Sequence, residues 1–284
     1  MNFSESWRSF RTAAWLGWQI ESNWTQPLLF AIYSILKPVA RAAILVFMYG
    51  IITRGNFQNP LFPYIYLGNA LYTYVYAVMT GVSWAVIDDR EHYKTLKYFY
   101  VAPVPIPAYL FGRGVARFLT GSISVLVTIL AGVWFLNLSF DPARAHWGLF
   151  FLSLTLGILL LAMMGLILGS ISLLLVHHSW GMVEGVAGAL FLFTGAIFPL
   201  EVLPTWLRPI GYVLPVTYWL ELSRRALVGE VAQAFPTLSR FSNAELLWIL
   251  LAMTVVTSVI ALFVFRLCDR LARERGLIDR TTNY

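Results

Sequence analysis

The chain has 284 residues, of which 59% are hydrophobic, 16% aromatic and only 12% charged, with a formal net charge of +6. An ordinary soluble domain carries about 25% charged residues, so this composition excludes one and implies a protein that lives in a bilayer. The basic residues sit at the ends of apolar runs and form no stripe interleaved with aromatics, so the positive charge reads as membrane topology and no nucleic-acid partner is expected.

Inside lipid the backbone has no water to bond, which leaves helices or closed barrels. The apolar runs here are continuous and do not alternate with period two, so the fold class is all-α. Residues 1–26 predict an interfacial helix: Phe3, Trp7, Phe10, Ala14 and Trp18 share one face, with Arg8, Ser9, Thr12 and Gln19 opposite. No signal-peptide pattern is visible in this stretch, so the segment is expected to be retained. Cys268 is the one cysteine, which excludes an internal disulfide framework.

Six transmembrane helices follow, predicted near 27–53, 61–87, 115–138, 147–176, 181–200 and 244–266. They form one domain: the interfacial helix, a six-span core over 27–266 and a basic tail over 267–284. Six crossings put both ends on one side. That side collects Arg8, Arg11, Arg90, Lys94, Lys97, Arg113, Arg117, Arg266, Arg270, Arg273, Arg275 and Arg280, twelve cations against six on the other, and the positive-inside rule places it in the cytoplasm. The stretch "PIGYVLPVTYWL" is too short for a seventh crossing and contains Pro215. With Pro199, Pro204 and Pro209 it predicts short re-entrant or interfacial helices on the outer face.

Between the second and third spans lies "DDREHYKTLKYFYVAPVPIP". Asp88 with Glu91 has the spacing of a capping box, and Tyr93, Leu96 and Tyr100 recur on one face, which predicts a short amphipathic helix from Asp88 to Tyr100. The alternation Pro103, Pro105, Pro107 predicts a stiff extended return to the membrane. From the residues alone this is either a solvated loop or a lever acting on both spans.

The stretch "DDREHYKTLKYFYVAPVP" resembles the "reg-T-L-e…P" region after the second span of ABC-2 type transporter permeases, with Tyr93 where glycine usually precedes the Thr-Leu pair. "GAIFPLEVLPTWLRPIGYVLPVTYWLELSRRAL" is similar to the same family's outer segment between spans five and six. The resemblance implies the membrane subunit of an ATP-driven exporter in the cytoplasmic membrane, working with a second permease and two copies of a separate ATPase. It also implies a coupling helix in which Arg90, Glu91, His92, Lys94, Thr95 and Leu96 contact that ATPase. The chain has no G-x-x-x-x-G-K-[ST] loop, so no cofactor is expected in this chain, ATP and magnesium being bound by the partner.

Within the spans, Lys37 and Arg41 share a face around Pro38, and Asn69, Thr73, Tyr76, Thr80 and Ser83 form a polar stripe with Tyr72 beside it. Thr120, Ser124 and Thr128 form another. Two readings stand for the cations: they snorkel to headgroups, or they meet an anionic headgroup or substrate. The stripes either line a path, giving Lys37, Arg41, Asn69, Thr73, Tyr76 and Thr80 as possible substrate contacts, or hold helices together. Gly165 with Gly169, and Gly181 with Gly185 and Gly188, predict close helix packing. Glu184 could pair with Lys37 or Arg41.

No metal is expected, because the adjacent His177 and His178 point about 100° apart on a helix and no H-E-x-x-H occurs. No G-x-S-x-G elbow is present and Cys268 has no evident base, so enzyme chemistry is not expected. The alternative function is an ion-coupled secondary transporter, which would call for two matching halves; no internal symmetry of that kind is visible.

Overall fold

The structure, a computed structural model, describes residues 3–22, 27–57, 59–102, 104–136, 138, 142–175, 179–229 and 238–278. His177, His178, Pro103 and Arg280 lie outside the described residues. Among the described residues there is no strand. The helices are α1 (Phe3–Ser22), α2 (Pro27–Ile52), α3 (Leu61–Glu91), α4 (Leu96–Val101), α5 (Ile106–Leu136), α6 (Trp147–Leu174), α7 (Ser179–Phe193), α8 (Arg208–Val213), α9 (Pro215–Val228) and α10 (Asn243–Glu274).

Five of them, α2, α3, α5, α6 and α10, are long and apolar enough to cross a membrane, so the chain is a membrane protein. The sequence predicts a further span over 181–200. There α7 has 15 residues, about 22 Å of helix against a hydrocarbon thickness of about 30 Å. Gly195 takes φ 73°, a turn that L side chains resist, and Pro199 follows it, so the helix stops at Phe193.

Helix α3 is the centre of the bundle: 78% of its most apolar window is buried, against 17% for α2 and for α10. Against it lies α6, whose Gly165 faces Met79 and Val82 so closely that a Cβ would come 2.5 Å from the Met79 carbonyl oxygen. Gly169 sits likewise against Val86, so this glycine pair serves close packing. Gly181, Gly185 and Gly188 on α7 do not; a Cβ on any of them meets nothing within 4 Å. Helix α1 lies along α5, and a Cβ on Gly112 would come 2.4 Å from the Phe10 carbonyl oxygen, so the two backbones touch.

The chain passes from α3 to α5 through an elbow that differs from the expected single helix. Asp88–Glu91 are the last turn of α3, not the cap of a new helix, and the chain breaks at His92–Thr95 before α4. Lys94 there takes φ 54°. Pro105 and Pro107 flank the first residue of α5, so the prolines start a helix instead of prolonging an extended return, and α5 begins nine residues before the predicted 115. At the other end of the chain α10 runs on to Glu274, so much of the predicted tail is helix.

At the opposite end of the bundle from the elbow, α8 and α9 form a hairpin. The Ala226 carbonyl, near the end of α9, accepts from His146 N at the start of α6. Trp219, near its beginning, packs on Gly157, where a Cβ would lie 2.0 Å from the indole Nε1. Gly157 is ten residues into α6, about 15 Å from its start, so the hairpin inserts that far between the long helices.

Candidate functional site

Two features can carry function: a polar cleft among the long helices and the elbow. The cleft, of about 270 Å³, lies between α2, α3 and α5 with the end of α1 at its rim. It is lined by Lys37 and Arg41 from α2, by Asn69, Thr73, Tyr76 and Thr80 from α3, and by Arg117, Thr120, Ser124 and Thr128 from α5. All six residues predicted as possible substrate contacts thus meet on one cavity, joined by the α5 stripe.

Ser83, the last member of the predicted α3 stripe, does not join them. Its hydroxyl donates to the carbonyls of Met79 and Gly165, in the α3–α6 contact. The reason is a π-helical turn at Val75–Thr80, which carries an extra residue and rotates everything after it by about 100°. The turn itself presents Tyr76, Ala77 and Thr80 to the cleft. Tyr72, beside the stripe, donates to the Ala187 carbonyl at 2.5 Å and so ties α3 to α7.

The electrostatics of the cleft are graded along its length. Arg117 Nε bonds Glu21 Oε1 at 2.7 Å, and Arg41 stacks over the Tyr76 ring at 5.6 Å. Glu184 accepts from Tyr76 Oη at 2.8 Å, so a tyrosine stands between this acid and Arg41. Burial pushes the Glu21 carboxyl above its ordinary range, opposed by the guanidiniums of Arg117 and Arg113. Arg117 and Glu21 were not singled out from the sequence, although Arg117, Thr120, Ser124 and Thr128 follow i, i+3, i+7, i+11 and extend the noticed stripe by one member.

At the elbow, the residues expected to contact an ATPase divide into two sets. Arg90 is buried: Nη1 donates to the Ser172 carbonyl at 2.7 Å and Nε to Glu91 Oε1 at 2.8 Å. Leu96 is buried among Val82, Val86, Ile106 and Leu110. Thr95 N donates to the Asp89 carbonyl, and Asp89 is in turn paired with Arg113 at 3.2 Å. Arg90 and Leu96 thus face inward and hold the elbow, while Glu91 and Thr95 are half-buried. His92 and Lys94 are exposed, and with them Tyr93, Lys97, Tyr98 and Val101, the last 87% exposed, make the outward face. The amphipathic helix expected over Asp88–Tyr100 is reduced to Leu96–Val101; Leu96 faces inward, while Tyr93, expected on the same face, is exposed ahead of the helix.

A second tether joins α4 to α10. Tyr100 Oη donates to Asp269 Oδ1 at 2.8 Å, and Arg273 bonds Asp269 Oδ2 at 2.7 Å while stacking over the Tyr100 ring at 4.8 Å. Burial, then Asp269 beside it, hold the Tyr100 phenol well above its ordinary pKa, so it remains a donor. Displacing α4 therefore moves the ends of α3, α5 and α10 together.

Lys94 immediately precedes Thr95 and occupies a left-handed conformation that costs an L residue about 1 kcal/mol. Lys94→Gly is expected to raise stability by about 0.5–1 kcal/mol, read as a higher melting temperature in detergent; a loss of stability would show that the strain is absent.

Among the described residues no cluster of three His, Cys, Asp or Glu side chains could hold a metal. At the hairpin end, Arg224 stacks over Tyr64 at 3.9 Å and donates from Nη2 to the Gly195 carbonyl at 2.5 Å. Arg225 bonds Glu221 at 2.9 Å and the carbonyls of Phe241 and Leu238 at 2.7 and 2.8 Å. These charges are consumed in holding the hairpin.

The chain is similar to the probable multidrug ABC transporter permease YbhR of Escherichia coli K12, and equally to that of Escherichia coli O157:H7. Each is 23% identical over 189 residues, 66% of this chain. The match spans about half, 48%, of the length of these curated relatives. Residues 9–228, which include most of α1, the cleft, the elbow and the hairpin, match the ABC-2 type transporter family. The chain belongs to the ABC-2 type transporter family, whose membrane components in general work with a separate ATPase.

Proposed function

We propose that the chain is the permease subunit of an ATP-driven exporter in the cytoplasmic membrane, pairing with a second permease and with two copies of a separate ATPase. The observation that carries this is the elbow: an exposed face of Lys97, Tyr98 and Val101 on a short helix, with Tyr93 just before it, tied through Leu96, Asp89–Arg113 and Tyr100–Asp269 to three long helices. Such a part transmits force from a bound molecule and has no use as a slack loop. ATP and magnesium are bound by the ATPase, and the chain supplies no phosphate-binding loop of its own.

In this reading α7 and the hairpin after it together make the fifth of six crossings, both termini are cytoplasmic, and the re-entrant hairpin closes the outer side. The cleft is the substrate path for an amphiphile, whether drug, lipid or lipid-linked glycan. The second permease seats on the open glycine face of α7, since small residues let another helix approach closely.

The second reading is an ion-coupled carrier, favoured by the acid Glu184 bonded to Tyr76 at the cleft. Co-purification decides between them. The exporter reading expects a stoichiometric ATPase partner whose turnover rises in the presence of the permease, and transport that stops when ATP binding is blocked. Transport driven by a pH gradient in liposomes holding this chain alone would overturn it.

A further inference from the structure

The cleft has a chemical polarity that narrows what it takes. Its elbow end is lined by Lys37, Arg41 and Arg117 and by the carboxylate of Glu21, with Glu184 held on the hydroxyl of Tyr76. Thr80 and Thr120, which line it from α3 and α5, spend their hydroxyl hydrogens on their own helices: Thr80 donates to the Tyr76 carbonyl and Thr120 to that of Arg117 at 3.1 Å. Ser124 and Thr128, further along α5, do the same to Thr120 and Ser124 at 3.1 and 2.8 Å. What these hydroxyls present to the cavity is lone pairs, which accept hydrogen bonds. From Arg117 to Thr128 is eleven residues of helix, so the cationic end and the far acceptor end lie about 16 Å apart.

Resting on the reading of the cleft as the substrate path, we propose that it binds a phosphodiester headgroup bearing free hydroxyls. Lys37 and Arg41 hold the phosphate, and the hydroxyl stripe accepts from the headgroup's alcohols. A guanidinium offers a planar fork of donors that suits a phosphate, and charge-assisted bonds of this kind are the strong ones. A cationic amphiphile would be repelled at the same end, and a purely apolar one would leave the polar wall unsatisfied within the bilayer.

The probe is phosphatidylglycerol, whose headgroup has one phosphodiester and two hydroxyls. The full-length chain is purified from micelles holding equal amounts of phosphatidylglycerol and phosphatidylcholine, and the bound lipid is quantified by native mass spectrometry. At least about tenfold enrichment of phosphatidylglycerol is expected, the effect of one charge-assisted contact. Lys37→Gln with Arg41→Gln should bring the ratio to within about twofold of even, Arg41→Lys should keep most of the enrichment, and Arg270→Gln, far from the cleft, should not change it. Competition by soluble glycerol phosphodiester would show that the headgroup alone is read; resistance to it, with the lipid preference intact, would assign the ligand to the membrane.

A wild-type chain without preference, or a preference that survives both glutamine substitutions, overturns the proposal. The wild-type measurement decides even where the double variant fails to fold. Loss of the preference with ATPase association intact refutes only this inference, whereas retained preference without any ATPase partner refutes the exporter reading and leaves this one standing.

Discussion

Arg225→Ala is expected to lower stability by about 3–5 kcal/mol, the largest effect of any single substitution outside the elbow. Arg225 is buried and bonds Glu221 and the carbonyls of Leu238 and Phe241, so it joins α9 to the segment that starts α10. Truncation leaves a carboxylate 2% exposed with Arg224 Nη1 as its nearest other cation, 3.9 Å away. It also orphans two carbonyls. Arg225→Lys should recover little, because one ammonium cannot serve three acceptors in the plane that a guanidinium spans. Glu221→Gln should cost less than Arg225→Ala, since the arginine keeps both carbonyls. Unfolding in a mixed-micelle titration checks the order; equal losses for all three would mean that the network contributes no specific geometry.

The second large effect belongs to the elbow and falls on coupling, not on folding. Tyr98→Asp together with Val101→Asp is expected to reduce permease-stimulated ATP turnover at least tenfold, since the apolar centre of a docking face carries most of its energy. Both side chains are exposed, so the melting temperature should stay close to that of the parent chain. Leu96→Ala should show the reverse pattern. It vacates a buried site among Val82, Ile106 and Leu110 and costs about 2–4 kcal/mol, with coupling falling only as the fold does. If the double aspartate chain stimulates its ATPase normally, the exposed face of α4 is not the contact.

What could be read from the sequence follows from which signals are local. Helical class, the long apolar segments, the helix at the start of the chain and the shortness of the 209–220 stretch all rest on composition and period, and the structure has helices there. The cleft residues were legible because polar side chains at helical spacing on an apolar helix have few uses. Their stripe was misread only beyond Thr80, where a π-helical turn, invisible to a rule of 3.6 residues, swings Ser83 into the α6 contact.

Other features depend on partners distant in sequence. Asp88–Glu91 resembled a helix start because a capping-box spacing does not reveal whether the preceding helix has ended; here the Asp89–Arg113 and Arg90–Ser172 contacts keep it going. Arg113 and Arg117 looked like topological charge because their partners, Asp89 and Glu21, are 24 and 96 residues away. The Tyr100–Asp269–Arg273 tether spans 169 residues and had no local trace at all. The fifth span was overestimated because an apolar run does not show where a glycine at φ 73° turns the chain back.

The account depends on α4 lying on the inner side of the membrane and seating on an ATPase. Val101→Cys in a Cys268→Ala background places one thiol on an outward-facing residue of that helix. A membrane-impermeant maleimide should label it in inside-out vesicles and not in right-side-out ones, and bound ATPase should protect it. Labelling from the outer side, or full labelling with the ATPase in place, would contradict the account.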